Sequence, residues 1–144
     1  MTKIILPIFE AKRKGAIINI ASVSGLSPQP LQTVYAATKA YMDFFSRGLQ
    51  NEYSSKNITI QTVCPSYVCT SMTSFSSILN KPSIFVPSPE NFTSSAIRTL
   101  GFSDYTTGFW SHGIQTLLPL TYMPKIVLWM NKRFREEALE NNKS

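Results

Sequence analysis

A chain of 144 residues has the length of one ordinary domain, and its 43% hydrophobic and 12% aromatic content excludes a disordered polymer. The formal net charge of +6 comes from Lys and Arg spread along the chain, with small clusters at 12–14 and 132–135. There is no long basic run and no zinc-finger spacing, so no nucleic-acid partner is expected.

The charge suits instead an anionic membrane surface, a phosphorylated cofactor or a CoA ester. His112 is the one histidine, which excludes a site built on two imidazoles, and no metal centre is expected. Cys64 and Cys69 make no disulfide framework and read as plain apolar residues of a reducing compartment. Sequons at Asn57, Asn91 and Asn142 are no more than chance supplies in a chain rich in Asn, Ser and Thr, and read as accidental.

In chain order, residues 1–14 begin with apolar Ile4, Ile5, Leu6, Ile8 and Phe9 and turn basic, the pattern of the last turns of a helix. Pro7 would kink it. No N-cap opens the segment, which starts in mid-pattern, like an element that has been cut. After Gly15, residues 16–21 form a β-branched, near-continuous apolar run, expected to be a strand buried on both faces of a parallel sheet. Residues 22–32 carry Ser, Gly and two prolines and read as loop.

From 33 to 55 the period becomes helical, with Val34, Ala37, Tyr41, Phe44, Phe45 and Leu49 at three- and four-residue steps and Thr33 as the expected N-cap. Residues 58–63 read as a second buried strand, completing a right-handed βαβ unit. A polar, Ser-rich stretch at 70–89 leads to a helix expected from Ser88-Pro89-Glu90 to Leu100, stopped by Gly101. Residues 107–110 are expected to form a third strand. The apolar segment 115–130 is broken by Pro119 and Pro124, too interrupted for a membrane-crossing helix. Residues 124–139 read as an amphipathic helix before a polar tail. No internal repeat occurs.

Tyr35-Ala36-Ala37-Thr38-Lys39 puts a phenol and an ammonium one helical turn apart on one face. A neighbouring cation favours the phenolate, which suits a tyrosine acting as general acid. The pair alone is unspecific, since a packed Tyr beside a solvated Lys would look the same. Ser22 adds context: it lies thirteen residues earlier, in the loop leaving the first strand. Open α/β sheets place ligands at the C-terminal ends of their strands. The second strand ends at the same edge, in Cys64-Pro65-Ser66-Tyr67-Val68-Cys69-Thr70. His112 is read first as a packed or surface histidine and only second as a pocket residue.

Ile18-Asn19-Ile20-Ala21-Ser22-Val23-Ser24-Gly25, the step to Tyr35-x-x-x-Lys39, and Pro65-x-x-Val68-x-Thr70 resemble the second half of the short-chain dehydrogenase/reductase family. Phe44-Phe45-Ser46-x-x-Leu49, Val86-Pro87-Ser88-Pro89 and Thr106-Thr107-Gly108-Phe109-Trp110-Ser111-His112 refine the likeness. They point to the 17β-hydroxysteroid dehydrogenase types 3 and 12, the very-long-chain 3-oxoacyl-CoA reductases and the hydroxysteroid dehydrogenase-like subgroup.

The resemblance implies an α/β fold: the C-terminal part of a Rossmann-type doubly wound parallel sheet, without its N-terminal strands or Gly-rich turn. Residues 1–114 would be that half-domain. Residues 115–144 would be an apolar extension facing a membrane or the substrate.

It also implies roles. Tyr35 would protonate a carbonyl oxygen as hydride arrives, Lys39 would hold the nicotinamide ribose, and Ser22 would hydrogen-bond the carbonyl. Pro65, Val68 and Thr70, with Tyr35 and Lys39, would contact the cofactor. NADP(H) is implied by the family alone, because no ribose-selecting residue occurs in the sequence. The family's usual Gly after that proline is Ser66 here.

The implied reaction is NADPH-dependent reduction of a ketone on a steroid or long-chain 3-oxoacyl-CoA. It belongs to the full-length protein, and this half is expected to be inactive alone. The alternative is a non-catalytic binding or scaffold protein. Subgroup members lacking the tyrosine are regarded as inactive, and Tyr35 is present here. A homodimer through 1–14 and 33–55, and an endoplasmic reticulum membrane location with the mitochondrion as alternative, complete the expectations.

Overall fold

The computed structural model describes residues 1–117 and 123–141; Pro119 and the Asn142 sequon lie outside the described residues. Among the described residues, five α-helices, α1 (Thr2–Lys12), α2 (Thr33–Tyr53), α3 (Pro89–Ile97), α4 (Trp110–Leu117) and α5 (Pro124–Asn141), accompany three strands, β1 (Gly15–Ile20), β2 (Ile58–Val63) and β3 (Tyr105–Thr106). The strands form one parallel sheet in the order β1-β2-β3. This is the expected α/β architecture.

The sheet orders the layers. Leu6 of α1 and Leu49 of α2 pack on Ile58 and Ile60 of β2, with Phe9, Ile17, Phe45 and Tyr53 around them. That face of the sheet is thus covered by the two apolar helix stripes. On the opposite face, the buried Gln61 side chain donates to Thr99 Oγ1 at 2.9 Å and to the Ser103 carbonyl at 2.7 Å, tying the end of α3 to the sheet.

Several local expectations give way. β1 is not buried on both faces: Ile18 and Ile20 are 39% and 48% exposed, because β1 is an edge strand that, among the described residues, pairs with β2 alone, and Ile20 borders an open cleft. The third strand is Tyr105–Thr106, two residues earlier than residues 107–110, since Gly108 at φ 77° turns the chain and Trp110 opens α4.

Thr33 is the first residue of α2 and not its N-cap. Gln32 takes that place through its carbonyl, which accepts from the Ala36 amide at 2.9 Å. α3 begins as expected, with Ser88 Oγ accepting from the Asn91 amide at 3.3 Å, but its regular part ends at Ile97. Pro7 sits inside α1.

Candidate functional site

The register of the sheet builds the site. Ile20 stands opposite Val63, so the chain leaves β1 and β2 at the same level. The two exit segments are then joined by backbone bonds, Ala21 N–H to the Val63 carbonyl at 2.8 Å and Val23 N–H to the Pro65 carbonyl at 3.0 Å.

Ser22, in extended conformation, ends the first exit segment and starts a 3-10 turn at Val23–Gly25. Its buried hydroxyl accepts from the Ser24 amide at 3.2 Å and donates to the Pro65 carbonyl at 3.3 Å. That turn packs tightly on α2. A Cβ on Gly25 would lie 2.7 Å from the Ala40 nitrogen and 2.8 Å from the Lys39 carbonyl carbon, so only glycine permits this approach.

Tyr35 lies in the first turn of α2 and is 38% exposed. Lys39 follows one turn later. Its ammonium is 5.6 Å from the centre of the Tyr35 ring and donates to the Ile20 carbonyl at 3.1 Å.

Residues 65–70 are held at almost every step. Thr73 Oγ1 donates to the Val68 carbonyl at 3.0 Å and accepts from the Thr70 amide at 3.0 Å, while the Cys69 amide reaches the Pro87 carbonyl at 3.0 Å. From α4, Gln115 Oε1 accepts from Ser66 Oγ at 2.8 Å. His112 lies wholly buried behind this loop, between the rings of Phe92 and Phe109. It is packed, in line with the first of its two readings. Burial pushes its pKa below the ordinary 6.5, against the opposing pull of the Tyr67, Thr107 and Phe85 carbonyls.

Between the two exit segments lies a cleft of about 410 Å³. Ser22, Tyr35, Lys39, Pro65, Val68 and Thr70 all line it, so every residue singled out from the sequence faces one space. Val23, Tyr67, Met72 and Phe75 supply apolar wall. Burial, with Tyr35 nearby, pushes the Tyr67 phenol up, so it stays neutral. A volume of a few hundred Å³ with a mostly apolar surface and polar groups set into it is that of a small-molecule site. A flat nicotinamide ring is chemically suited to it: the lining pairs apolar wall with one ammonium, one carboxamide and seven hydroxyl groups.

Four further residues frame the site without having been singled out for it. Gln32 lines the cleft and its amide approaches Asn131 Oδ1 at 3.5 Å. Asn131, in the middle of α5, donates to the Pro30 carbonyl at 2.7 Å across the cleft's rim. Phe134 of α5 meets Tyr67 and Phe75 edge-on at 5.8 and 6.0 Å. Gly25 makes the turn possible. The sequence signal for Asn131 was a neutral polar residue within the apolar stripe of an amphipathic helix. Among the described residues, no cluster of metal-ligating side chains occurs and no helix is long and apolar enough to cross a membrane.

The short chain dehydrogenase family model matches residues 1–78. The chain is 42% identical to very-long-chain 3-oxoacyl-CoA reductase-A of Danio rerio over 148 residues, covering 99% of this chain and 45% of that protein. It is 45% identical to inactive hydroxysteroid dehydrogenase-like protein 1 of Homo sapiens over 144 residues, covering 96% of this chain and 43% of the relative. Among solved structures, a short-chain dehydrogenase from Sphingobium yanoikuyae in complex with NADPH superposes with a TM-score of 0.59 at 31% identity, over 70% of this chain and 39% of that one. The chain thus spans less than half the length of these relatives. With the family's model covering the βαβ unit that carries Ser22, Tyr35 and Lys39, the chain belongs to the short-chain dehydrogenase family.

Proposed function

We propose that the intact protein reduces a ketone with NADPH, its substrate a long-chain 3-oxoacyl thioester or a steroid. The observation that carries this reading is the convergence of Ser22, Tyr35 and Lys39 on one cleft at the C-terminal end of the sheet. A bound nicotinamide cofactor supplies the hydride.

The chain's own residues do the rest. The Tyr35 phenol delivers a proton to the carbonyl oxygen as negative charge develops there, and the Ser22 hydroxyl, turning its one proton from the Pro65 carbonyl, donates a hydrogen bond to the same oxygen. Lys39, anchored on the Ile20 carbonyl, sets a positive charge beside the phenol and holds the cofactor's ribose. Val68 and Thr70, which line the cleft, would hold the amide of the nicotinamide. Val23, Met72 and Phe75, with α5 over the rim, suit an acyl chain or a sterol body. The lipid substrate draws on the 3-oxoacyl-CoA reductases among the similar proteins and NADPH on the similar dehydrogenase solved with it, while an endoplasmic reticulum membrane location is proposed from the family resemblance alone.

A second reading, a catalytically silent binding protein, is favoured by one observation: the similar human protein carries the word inactive in its name. It draws on the apolar side chains Ile4, Ile8, Val34, Tyr41 and Phe44, exposed on α1 and α2, as a surface for a second copy. Replacing Tyr35 by Phe in the intact protein separates the two. The reductase loses about 10²- to 10⁴-fold in the rate of NADPH oxidation, the usual worth of a positioned acid. The binding protein shows no turnover to lose and keeps its partner.

A further inference from the structure

We propose that His112, backed by Gln115 one turn later, is a positioning clamp that fixes the 65–70 loop in the shape the nicotinamide site requires. The geometry assigns the tautomer. Ser66 N–H can only donate, and it lies 3.3 Å from Nδ1; the Tyr67 carbonyl can only accept, and it lies 3.0 Å from Nε2. The imidazole must therefore carry its proton on Nε2 and keep the Nδ1 lone pair. Neither the other tautomer nor the imidazolium satisfies both bonds.

The ring has no freedom to reorient. It is fully buried, with the Phe92 and Phe109 rings each centred 5.8 Å away. Gln115 extends the clamp, its Oε1 on Ser66 Oγ and its Nε2 donating to the Phe85 carbonyl at 3.0 Å. The serine that stands where the family's glycine is usual thus acquires a partner on α4.

The consequence reaches the far side of the loop. The Pro65 carbonyl, one residue before the clamped amide, is the acceptor for the Ser22 hydroxyl and the Val23 amide. Residues 65–67 are therefore gripped from β1's exit on one side and from α4 on the other. Val68 and Thr70 follow directly. His112 does not line the cleft, so it acts through the backbone it holds.

The role toward the cofactor rests on the reductase reading; the clamp itself does not. The test uses the intact protein and its H112F, H112N and Q115A variants, with three measurements: imidazole nitrogen shifts by NMR, hydrogen exchange of the Ser66 amide, and NADPH affinity by fluorescence titration. The expected imidazole is neutral and protonated on Nε2. H112F, which keeps the ring but neither bond, should speed Ser66 exchange and weaken NADPH binding, each at least tenfold, with kcat at saturating NADPH within threefold. H112N, whose amide oxygen can replace Nδ1, should restore most of both.

If H112F does not fold, Q115A carries the comparison, with a smaller shift in the same direction. An Nδ1–H tautomer, or unchanged Ser66 exchange in every variant, overturns the clamp. A wild-type protein that does not bind NADPH overturns the reductase reading and the cofactor role together, while the NMR and exchange results still judge the clamp separately.

Discussion

The Lys39 ammonium donates a 3.1 Å hydrogen bond to the carbonyl oxygen of Ile20, so the last residue of β1 anchors the cation of α2. Nineteen positions separate the two in sequence. The bond holds a flexible four-carbon side chain in one place, beside the Tyr35 ring and over the strand end. A positive charge held there costs no reorganisation when an oxyanion forms nearby.

Replacing Lys39 by Met keeps the stem and removes the charge. The expected outcome is a loss of at least about 10²-fold in kcat/KM for ketone reduction by the intact protein, on the scale of losing one preorganised electrostatic group. Folding should be little affected, because the group lost is a single hydrogen bond worth about 1 kcal/mol. Steady-state kinetics beside a thermal melt check both halves.

The contact of Gly25 with α2 predicts a contrast between two glycines. Gly25→Ala drives a methyl group into the Lys39–Ala40 backbone, which cannot yield as a side-chain tip can. It should destabilise by about 1–3 kcal/mol, the usual cost of overpacking. Gly48→Ala, mid-helix in α2 with nothing within 4 Å of the new methyl, should stabilise by about 0.5–1 kcal/mol. Urea titration of both variants against the parent reads the opposite signs.

The two cysteines should differ in reactivity. Cys64 is fully buried, and burial pushes its thiol pKa up, opposed by a hydrogen bond with Tyr105. Cys69 is half-buried. The thiolate is the reactive form. Iodoacetamide should therefore label Cys69 in the native protein and reach Cys64 only after denaturation, as peptide mass mapping would show.

His112 gives a pH signature in stability. Its folded pKa lies below the ordinary 6.5, so the unfolded chain takes up the proton first as pH falls. The linked stability is present in full above about pH 6.5 and is lost as pH drops through the lower folded value. Chemical denaturation from pH 8 down to 4.5 should show a decline beginning near 6.5 that is missing from H112F. An identical profile in the two proteins would refute it.

Much of the fold was legible because it rests on local rules. The β-branched run at 16–20, the helical period from Val34 to Leu49 and the run at 58–63 specify strand, helix and strand, and their spacing specifies a parallel crossover. The bounds were less legible. A strand of two residues, Tyr105–Thr106, has no period to read, and its place is set by pairing with Thr62 and Val63. The eight-residue α4 begins at Trp110 straight after the positive-φ turn at Gly108, and the apolar pattern around it suggested a strand.

For the site, the sequence by itself determined which chemical groups are at hand. Spacing put the phenol and ammonium of 35 and 39 on one helix face, and the strand ends put Ser22 and the loop 65–70 at one sheet edge, while their roles came from the family resemblance. Only the tertiary structure decided what holds them: Ile20 under Lys39, Gly25 against α2, Asn131 on the Pro30 carbonyl and His112 behind Ser66. The reason is physical. One turn of a helix fixes which side chains share a face, so short spacings carry chemistry. The Asn131 and His112 bonds join residues 101 and 46 positions apart, and nothing but the packing of the sheet and its helices brings such groups within 3 Å or so of each other.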